Sequence, residues 1–183
     1  MTTQPAVAYS FFFYANHKIY ALELLDSDAG KLWVMLTKKG KYGLKALIYL
    51  ARLQPGEVAL INTIAETNHI PKKFLEAILS DLKKAGFVHS KKGKGGGYYL
   101  ARIPEEIFIG PVVRVLDGPL APIACASPNF FQRCEDCEDD DVCAVRLTMR
   151  NVRNAISGLL DSQTLADLRD LPRRERRQKR ASR

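Results

Sequence analysis

The 183-residue chain is basic, with a formal net charge of +8 and a hydrophobic fraction of 46%, which is typical of a globular protein. It has no apolar run near the roughly 18 residues that span a bilayer, and no basic residue precedes its apolar stretch 6–15, which argues against a signal peptide. The four cysteines all lie within positions 125–143, unlike those of a secreted disulfide scaffold. We therefore expect a cytoplasmic protein that does not bind membranes.

The positive charge is concentrated in two parts of the chain. Residues 35–104 carry 13 basic and 4 acidic side chains, whereas residues 105–170 carry 6 basic and 12 acidic ones. The last segment, 171–183, has 7 basic side chains and 1 acidic side chain. A basic block beside an acidic one indicates a polyanion-binding module next to a module with another role. A lysine-rich surface that is merely solvated is the alternative.

The first patterned stretch begins at Met35, which we interpret as the natural start, with residues 1–34 as an uncertain N-terminal extension. Thr37 can cap a first helix over 41–53. A second, short helix is predicted to begin near 62–63, where an Asn or Thr side chain can accept from its free amides. Pro71 suits the first turn of a third, amphipathic helix, which Gly86 ends. Together these elements predict a helix-turn-helix unit.

The third helix is the expected recognition helix, which reads base edges in the major groove with residues near its N-terminus. Lys72 and Lys73 fall at that end, and Glu76 and Ser80 follow one and two turns later. A carboxylate at this position accepts from cytosine N4 or repels unsuitable sequences. The alternative is a surface ion pair between Glu76 and either lysine.

Two β-prone runs, 87–90 and 98–101, flank a basic glycine-rich loop and predict a hairpin. No helix and no Gly-Lys-Ser/Thr follows the loop directly, which argues against a nucleotide-binding loop. A helix-turn-helix followed by a basic hairpin is a winged helix. We therefore predict a mostly α fold with a small β-hairpin, in which residues 35–118 form a winged helix-turn-helix domain that binds double-stranded DNA. The wing residues expected at the phosphates are Lys91, Lys92, Lys94 and Gly95.

Residues 119–144 form a predicted sensor loop that contains all the cysteines, spaced Cys125-x8-Cys134-x2-Cys137-x5-Cys143. Thiolates at such spacing can hold an iron–sulfur cluster, a tetrahedral zinc ion or a reversible disulfide. Zinc sites usually pair two short Cys-x2–4-Cys knuckles, and this loop has one. The spacing alone leaves the cluster and zinc as open alternatives.

A long helix is predicted after the loop, and residues 145–170 form this helix and a closing segment. Its apolar residues alternate gaps of four and three, a heptad pattern that predicts a homodimer; packing on the helix's own domain is the alternative. The seam consists of Val145, Met149, Val152, Ile156 and Leu159. The basic tail 171–183 lacks an apolar face and is predicted to be disordered.

Several of these motifs resemble the Rrf family of bacterial winged-helix regulators, which includes the IscR, NsrR and RirA regulators. The resemblance covers about residues 36–168. It is carried by Leu36–Gly40, Ala46-Leu47, Ile64-Ala65, Phe74–Glu76, Ile78-Leu79, Leu82–Gly86, the wing Gly93–Tyr98 and Asp117-Gly118-Pro119.

In the cluster-binding members of that family, three cysteines lie between the wing and the dimerisation helix. Cys137 and Cys143 match the last two of these by position and spacing. The first would fall near Phe131, so Cys134 or Cys125 must substitute for it. Arg146 occupies the place where some members use a histidine as the fourth ligand, and that role does not carry over. The resemblance implies an iron–sulfur cluster on these cysteines, with [2Fe–2S] preferred over [4Fe–4S] and zinc as the alternative.

These observations predict a sequence-specific DNA-binding transcription regulator, a repressor or an activator, gated by an iron–sulfur cluster or by redox state at the cysteine loop. One alternative is a zinc- or thiol-stabilised winged-helix regulator without a cluster. Another is a winged-helix adaptor that binds acidic proteins. We do not expect an enzyme, because the three histidines lie far from the cysteines in sequence and no acid–base constellation stands out.

Overall fold

The computed structural model describes residues 36–181; the expected extension 1–34 and the start at Met35 lie outside these residues. Within this part of the chain, none of the helices has the length and apolar character required to cross a bilayer. The elements in chain order are α1 (Lys38–Leu50), α2 (Ile61–Asn68), α3 (Lys72–Lys84), β1 (Val88–Lys91), β2 (Gly97–Leu100), α4 (Ile109–Asp117), α5 (Ala144–Ser162) and α6 (Leu165–Ala181), with short 3-10 turns at Pro104–Glu106 and Ala124–Ala126.

The first helix begins directly after its capping residue, Thr37. The Thr37 hydroxyl accepts hydrogen bonds from the backbone N–H groups of Lys39 (3.1 Å) and Gly40 (3.3 Å), so the predicted cap is confirmed. Both helix ends lie three residues earlier than predicted, at Lys38 and Leu50. The predicted start of α2 near 62–63 was also slightly late, because α2 begins at Ile61 after an extended residue and has no side-chain cap.

The helix-turn-helix is built on one apolar core. The buried face of α3 consists of Leu75, Ile78, Leu79 and Leu82, spaced three and four residues apart as an amphipathic helix requires. The turn between α2 and α3 passes through His69, whose φ of 53° is left-handed and ends α2. This turn allows Ile70 to enter the core beside α3 and leaves the opposite face of α3 exposed.

The two strands confirm the predicted hairpin. β1 and β2 pair antiparallel from Val88 opposite Leu100 to Lys91 opposite Gly97. Ala59, in the loop before α2, extends this sheet by exchanging two backbone hydrogen bonds with Tyr98, of 2.9 and 2.8 Å. The wing is therefore attached to the helix-turn-helix by backbone pairing as well as by packing.

Gly97 is the glycine on which closure of the wing depends most. Its φ of +147° belongs to a region that only glycine adopts readily, and a Cβ there would lie 2.2 Å from the Ala59 carbonyl oxygen. We expect Gly97→Ala to lower the free energy of unfolding by about 2–4 kcal/mol, as measured by urea denaturation. Gly158→Ala is the control, because a Cβ at this position of α5 meets nothing within 4 Å. It should raise the free energy of unfolding by about 0.5–1 kcal/mol, and similar losses in both variants would contradict this account.

The C-terminal half returns to the core through α4 and the start of α6. The N–H of Leu165 donates to the Ile107 carbonyl (2.8 Å), and the N–H of Ile109 donates to the Gln163 carbonyl (2.9 Å). Beside this crossing, Arg114 of α4 forms a two-pronged ion pair with Asp161 of α5, at 2.6 and 2.8 Å. The Arg114 guanidinium lowers the pKa of Asp161 below its usual value. The C-terminal end of α5 is thus fixed to α4.

The prediction of a disordered tail over 171–183 was wrong for the residues described, because α6 continues to Ala181. Thr164 and Asp167 start this helix with a capping box. The Thr164 hydroxyl accepts from the Asp167 N–H (3.1 Å), and the Asp167 carboxylate accepts from the Thr164 N–H (3.2 Å). Arginine, glutamine, glutamate and lysine are good helix formers. Once a cap has started the helix, such a segment continues it without an apolar face.

Candidate nucleic-acid interface and thiol cluster

The recognition helix presents an exposed polar face that carries two lysines near its start. Lys72 is the first residue of α3, and Lys72, Lys73, Glu76 and Ser80 are all exposed. No ion pair joins Glu76 to either lysine within residues 36–181, so the alternative of a surface pair is not found there. Further along the helix, Asp81 is engaged by Lys39 at 2.7 Å, which lowers the pKa of that carboxyl group through the hydrogen bond.

The tip of the wing is a second basic surface. Lys91, Lys92, Lys94 and Gly95 are exposed, and none of these lysines has an ionic partner among the residues that the structure describes. Gly95 has a φ of +80°, and a Cβ there would meet no atom within 4 Å. The backbone at the tip is therefore open to close approach. A polyanion could contact the lysines without first displacing a carboxylate.

Asp117 connects α4 to the first turn of α1. One carboxylate oxygen accepts from the Thr37 N–H (2.9 Å), and the other accepts from the Thr37 hydroxyl (2.5 Å) and from the Gly40 N–H (3.0 Å). A Cβ at residue 40 would lie 2.2 Å from the Asp117 carboxylate, so glycine is required for this approach. This contact joins residues 80 positions apart, and no local pattern in the sequence indicated it.

The four cysteines, which the sequence left unassigned among several ligand sets, lie together in one cluster. All four are free thiols; Cys125 is buried and the other three are partly buried. Neighbouring thiols are close enough to affect one another's protonation: Cys134 interacts with Cys125 and Cys137, and Cys137 interacts with Cys143. The Sγ atoms of Cys134 and Cys137 also lie within 4.8 Å of each other and of a carboxylate oxygen of Asp136. We call these four side chains the thiol cluster.

The protonation of the thiol cluster is uneven. The backbone N–H of Arg146, at the start of α5, donates to Cys143 and lowers the pKa of that thiol, as expected at a helix N-terminus. The hydrogen bond with Cys143 raises the pKa of Cys137 to about 11. The hydrogen bond with Cys125 likewise raises the pKa of Cys134. Of these three thiols, Cys143 is thus the one whose charged form is best supported.

Arg146 holds the segments of the cysteine loop together, a role that the sequence did not indicate. Its Nε donates to the Cys125 carbonyl (3.0 Å), and its Nη1 donates to the Asp140 carbonyl (2.7 Å) and the Asp141 carboxylate (3.1 Å). Its guanidinium lies 5.2 Å from the centre of the Phe131 ring. The side chain is only 15% exposed. Arg153, two turns further along α5, donates to the carbonyl of Ala126.

The outer face of α5 is not covered by any other part of residues 36–181. No residue of this 19-residue helix is buried, although several of its side chains are apolar. Val145 is 64% exposed, Val152 39% and Leu159 67%; the other two residues of the predicted seam, Met149 and Ile156, are partly buried. Exposed apolar residues in a continuous stripe are typical of a surface that another protein covers.

A comparison with protein families matches residues 36–170 to Rrf2, described as an iron-dependent transcriptional regulator. A protein of Rhodobacter capsulatus, named as an rrf2-like HTH-type transcriptional regulator, is 43% identical over 137 residues, which cover 73% of this chain and 91% of that protein. The HTH-type transcriptional regulator CymR of Bacillus subtilis is 36% identical over 133 residues, or 73% of this chain and 88% of that protein.

Solved structures agree with these sequence matches. The structure of CymR, the global cysteine regulator of B. subtilis, matches with a TM-score of 0.60 and 35% identity, over 74% of this chain and 96% of that one. The T. potens IscR structure matches with a TM-score of 0.58 and 30% identity, over 76% of this chain and 88% of that one. The expected fold, a mostly α winged helix-turn-helix with a small hairpin, is confirmed by the elements and by these matches.

Proposed function

The chain belongs to the Rrf2 family of transcription regulators, and from this we propose that it binds operator DNA under the control of an iron–sulfur cluster at the thiol cluster. The observation that carries the sensor part of the proposal is the group of four free thiols just before α5, in which the Sγ atoms of Cys134 and Cys137 lie within 4.8 Å of each other. Four soft sulfur donors from one loop are a donor set that suits iron–sulfur clusters and zinc. The iron-dependent description of the family favours iron.

The proposed DNA contacts come from α3 and the wing. Lys72, Lys73, Glu76 and Ser80 would enter the major groove with the N-terminal end of α3, where the helix dipole is also positive. Lys91, Lys92, Lys94 and the Gly95 backbone would contact the phosphates beside it. Their exposure, and the lack of ionic partners for these lysines within residues 36–181, support this assignment.

The proposed ligands are Cys125, Cys134, Cys137 and Cys143, with a [2Fe–2S] cluster preferred over [4Fe–4S]. When bound, such a group supplies a charge and a coordination geometry that change with oxidation and with cluster loss. The residues of the chain do the rest: Cys143 offers the best supported thiolate, and Arg146 keeps the Cys125 turn against α5. Zinc in the same four-sulfur site is the alternative, and analysis for iron, sulfide and zinc distinguishes it from the cluster.

We further propose that two chains pair through the seam of Val145, Met149, Val152, Ile156 and Leu159. The stripe of exposed apolar side chains on α5 supports this, as does the absence of any buried residue on that helix. A pair with twofold symmetry would present two recognition helices to successive major grooves.

Control of DNA binding would pass through contacts that the structure contains. Arg146 and Arg153 tie the loop to α5, and Arg114 and Asp161 tie α5 to α4. Asp117 then ties α4 to α1. Ordering of the cysteine loop can shift the DNA-binding head only if the two loop states favour different arrangements of these helices.

The test is purification of the full chain without oxygen, followed by visible absorption and analysis for iron, sulfide and zinc. We expect a coloured protein with iron and sulfide in equal amounts, sedimenting as a dimer. Selection from fragmented genomic DNA should then yield a sequence that binds at least 1,000-fold more tightly than competitor DNA, a discrimination on the order of that of specific regulators. A colourless, zinc-loaded protein would refute the cluster, and binding without sequence preference would refute the DNA-reading assignment.

A further inference from the structure

We propose that Arg146 is the positioning residue that brings Cys125 into the thiol cluster as its fourth sulfur donor. The proposal rests on the proposed function, because it concerns how the same site is built. Cys125 is distant in sequence from the other three cysteines; it lies nine residues before Cys134 and eighteen before Cys143. Something other than the local chain must fix its position.

The contacts of Arg146 span that sequence gap. Its Nε donates a hydrogen bond to the Cys125 carbonyl, and its Nη1 donates to the Asp140 carbonyl and the Asp141 carboxylate. Its own backbone N–H donates to Cys143. A single residue therefore touches the first cysteine, the last cysteine and the acidic segment between them. The planar arginine guanidinium carries several N–H donors and can bond to all these acceptors at once, whereas a lysine ammonium cannot reach them in the same geometry.

Phe131 also contacts Arg146. The centre of its ring lies 5.2 Å from the Arg146 guanidinium, the same group that donates to the Cys125 carbonyl. The family resemblance places ligands of other members at these two positions, and in this chain the two side chains contact each other instead. Cys134 and Cys125 then supply the sulfurs. The Phe131–Arg146 contact is thus found where the proposed ligands of this chain differ from those of the cluster-binding family members.

The test uses Co²⁺ as a probe of the reduced, metal-free full chain without oxygen, because the intensity of its sulfur-to-metal absorption rises with the number of bound thiolates. We expect the unmodified chain to give the spectrum of a four-thiolate tetrahedral site. Arg146→Met keeps an unbranched side chain beside Phe131 but removes the donors. Its charge-transfer intensity should fall by about a quarter, and its Co²⁺ affinity should fall by about 10- to 100-fold, as is usual when an outer partner of a ligand is lost.

A double-mutant cycle makes the test specific. Cys125→Ser should reproduce the loss seen in Arg146→Met, and adding Cys125→Ser to Arg146→Met should cause little further loss, because the sulfur is already out of place. Arg146→Lys should resemble Arg146→Met. The matched control is Arg150→Met, one turn along α5, where the arginine is exposed and has no ionic partner within residues 36–181; it should leave the spectrum unchanged.

Two results would overturn the proposal: a four-thiolate spectrum in Arg146→Met, or a full additional loss when Cys125→Ser is added to it. Thermal melting of the metal-free variants separates a positioning effect from unfolding, and Arg146→Lys supplies the second variant if Arg146→Met fails to fold. Failure of the proposed function looks different. In that case the unmodified chain itself binds neither Co²⁺ nor a cluster, or shows no sequence preference for DNA.

Discussion

A Lys72→Ala, Lys91→Ala double variant should lose most of its affinity for operator DNA while keeping its fold. Both lysines are exposed and have no ionic partner within residues 36–181, so their removal leaves no buried charge behind. If each contacts one phosphate in each half of a dimer, the variant loses about four phosphate contacts, and the slope of log K against log salt falls by about 4. At physiological salt we expect affinity to drop by about 100-fold or more.

The matched control for this variant is Lys84→Ala. Lys84 ends α3, about 18 Å from Lys72 along the helix axis at 1.5 Å per residue, and it is also exposed. It should change affinity and salt slope little, since the positive charge that it removes lies at the opposite end of the recognition helix. Titrations of a fixed operator between low and physiological salt measure both quantities. An unchanged salt slope in the double variant, or an equal change in Lys84→Ala, would refute the contact assignment.

Substitution of Asp117 should have the second large effect, on stability and on the position of the DNA-binding head. Its two carboxylate oxygens accept three hydrogen bonds from Thr37 and Gly40, which are donors at the positive end of α1. Asp117→Ala leaves the two backbone N–H groups without this partner. We expect the free energy of unfolding to fall by about 2–4 kcal/mol, less than three times the roughly 1.5–3 kcal/mol net contribution of a hydrogen bond to a charged group, because two of the three bonds are exposed to solvent.

Thr37→Ala provides the comparison for Asp117→Ala. It removes the hydroxyl cap and one of the three bonds to Asp117 but keeps the carboxylate on both backbone amides, so it should cost about 1 kcal/mol. Urea denaturation of the metal-free protein measures both variants. Operator affinity measured with and without the bound group should differ less in Asp117→Ala than in the unmodified chain. A fully retained difference would show that the link between α4 and α1 carries no control.

The helix-turn-helix and the wing could be predicted from sequence because their signals are local. The apolar period of α3, the glycine after it and the basic glycine-rich loop each act within a few residues. The predicted boundaries of the helices were less accurate. The Thr37 cap acts on the very next N–H groups, so α1 starts at once, and α2 begins with no side-chain cap at all.

The arrangement of the thiols could not be predicted, because it depends on contacts between distant residues. The spacing of Cys125 from Cys134 indicated neither proximity nor separation. Arg146 appeared only as a position from which a histidine was missing, yet its guanidinium bonds to the Cys125 carbonyl 21 residues earlier. The bond from Asp117 to Thr37 spans 80 residues. An arginine or aspartate that bridges two segments has no sequence signature comparable to a cap or a period.

The acidic stretch 135–141, which has six carboxylates around Cys137, lies in the cysteine loop, whereas the unpaired lysines lie on α3 and the wing. Negative and positive charge are thus concentrated on different elements of the chain. Near a duplex, we expect the lysines to be drawn toward the phosphates and the acidic stretch to be repelled before any contact forms. Random collisions are thereby converted into aligned ones, and the search for a productive orientation shortens most at low ionic strength.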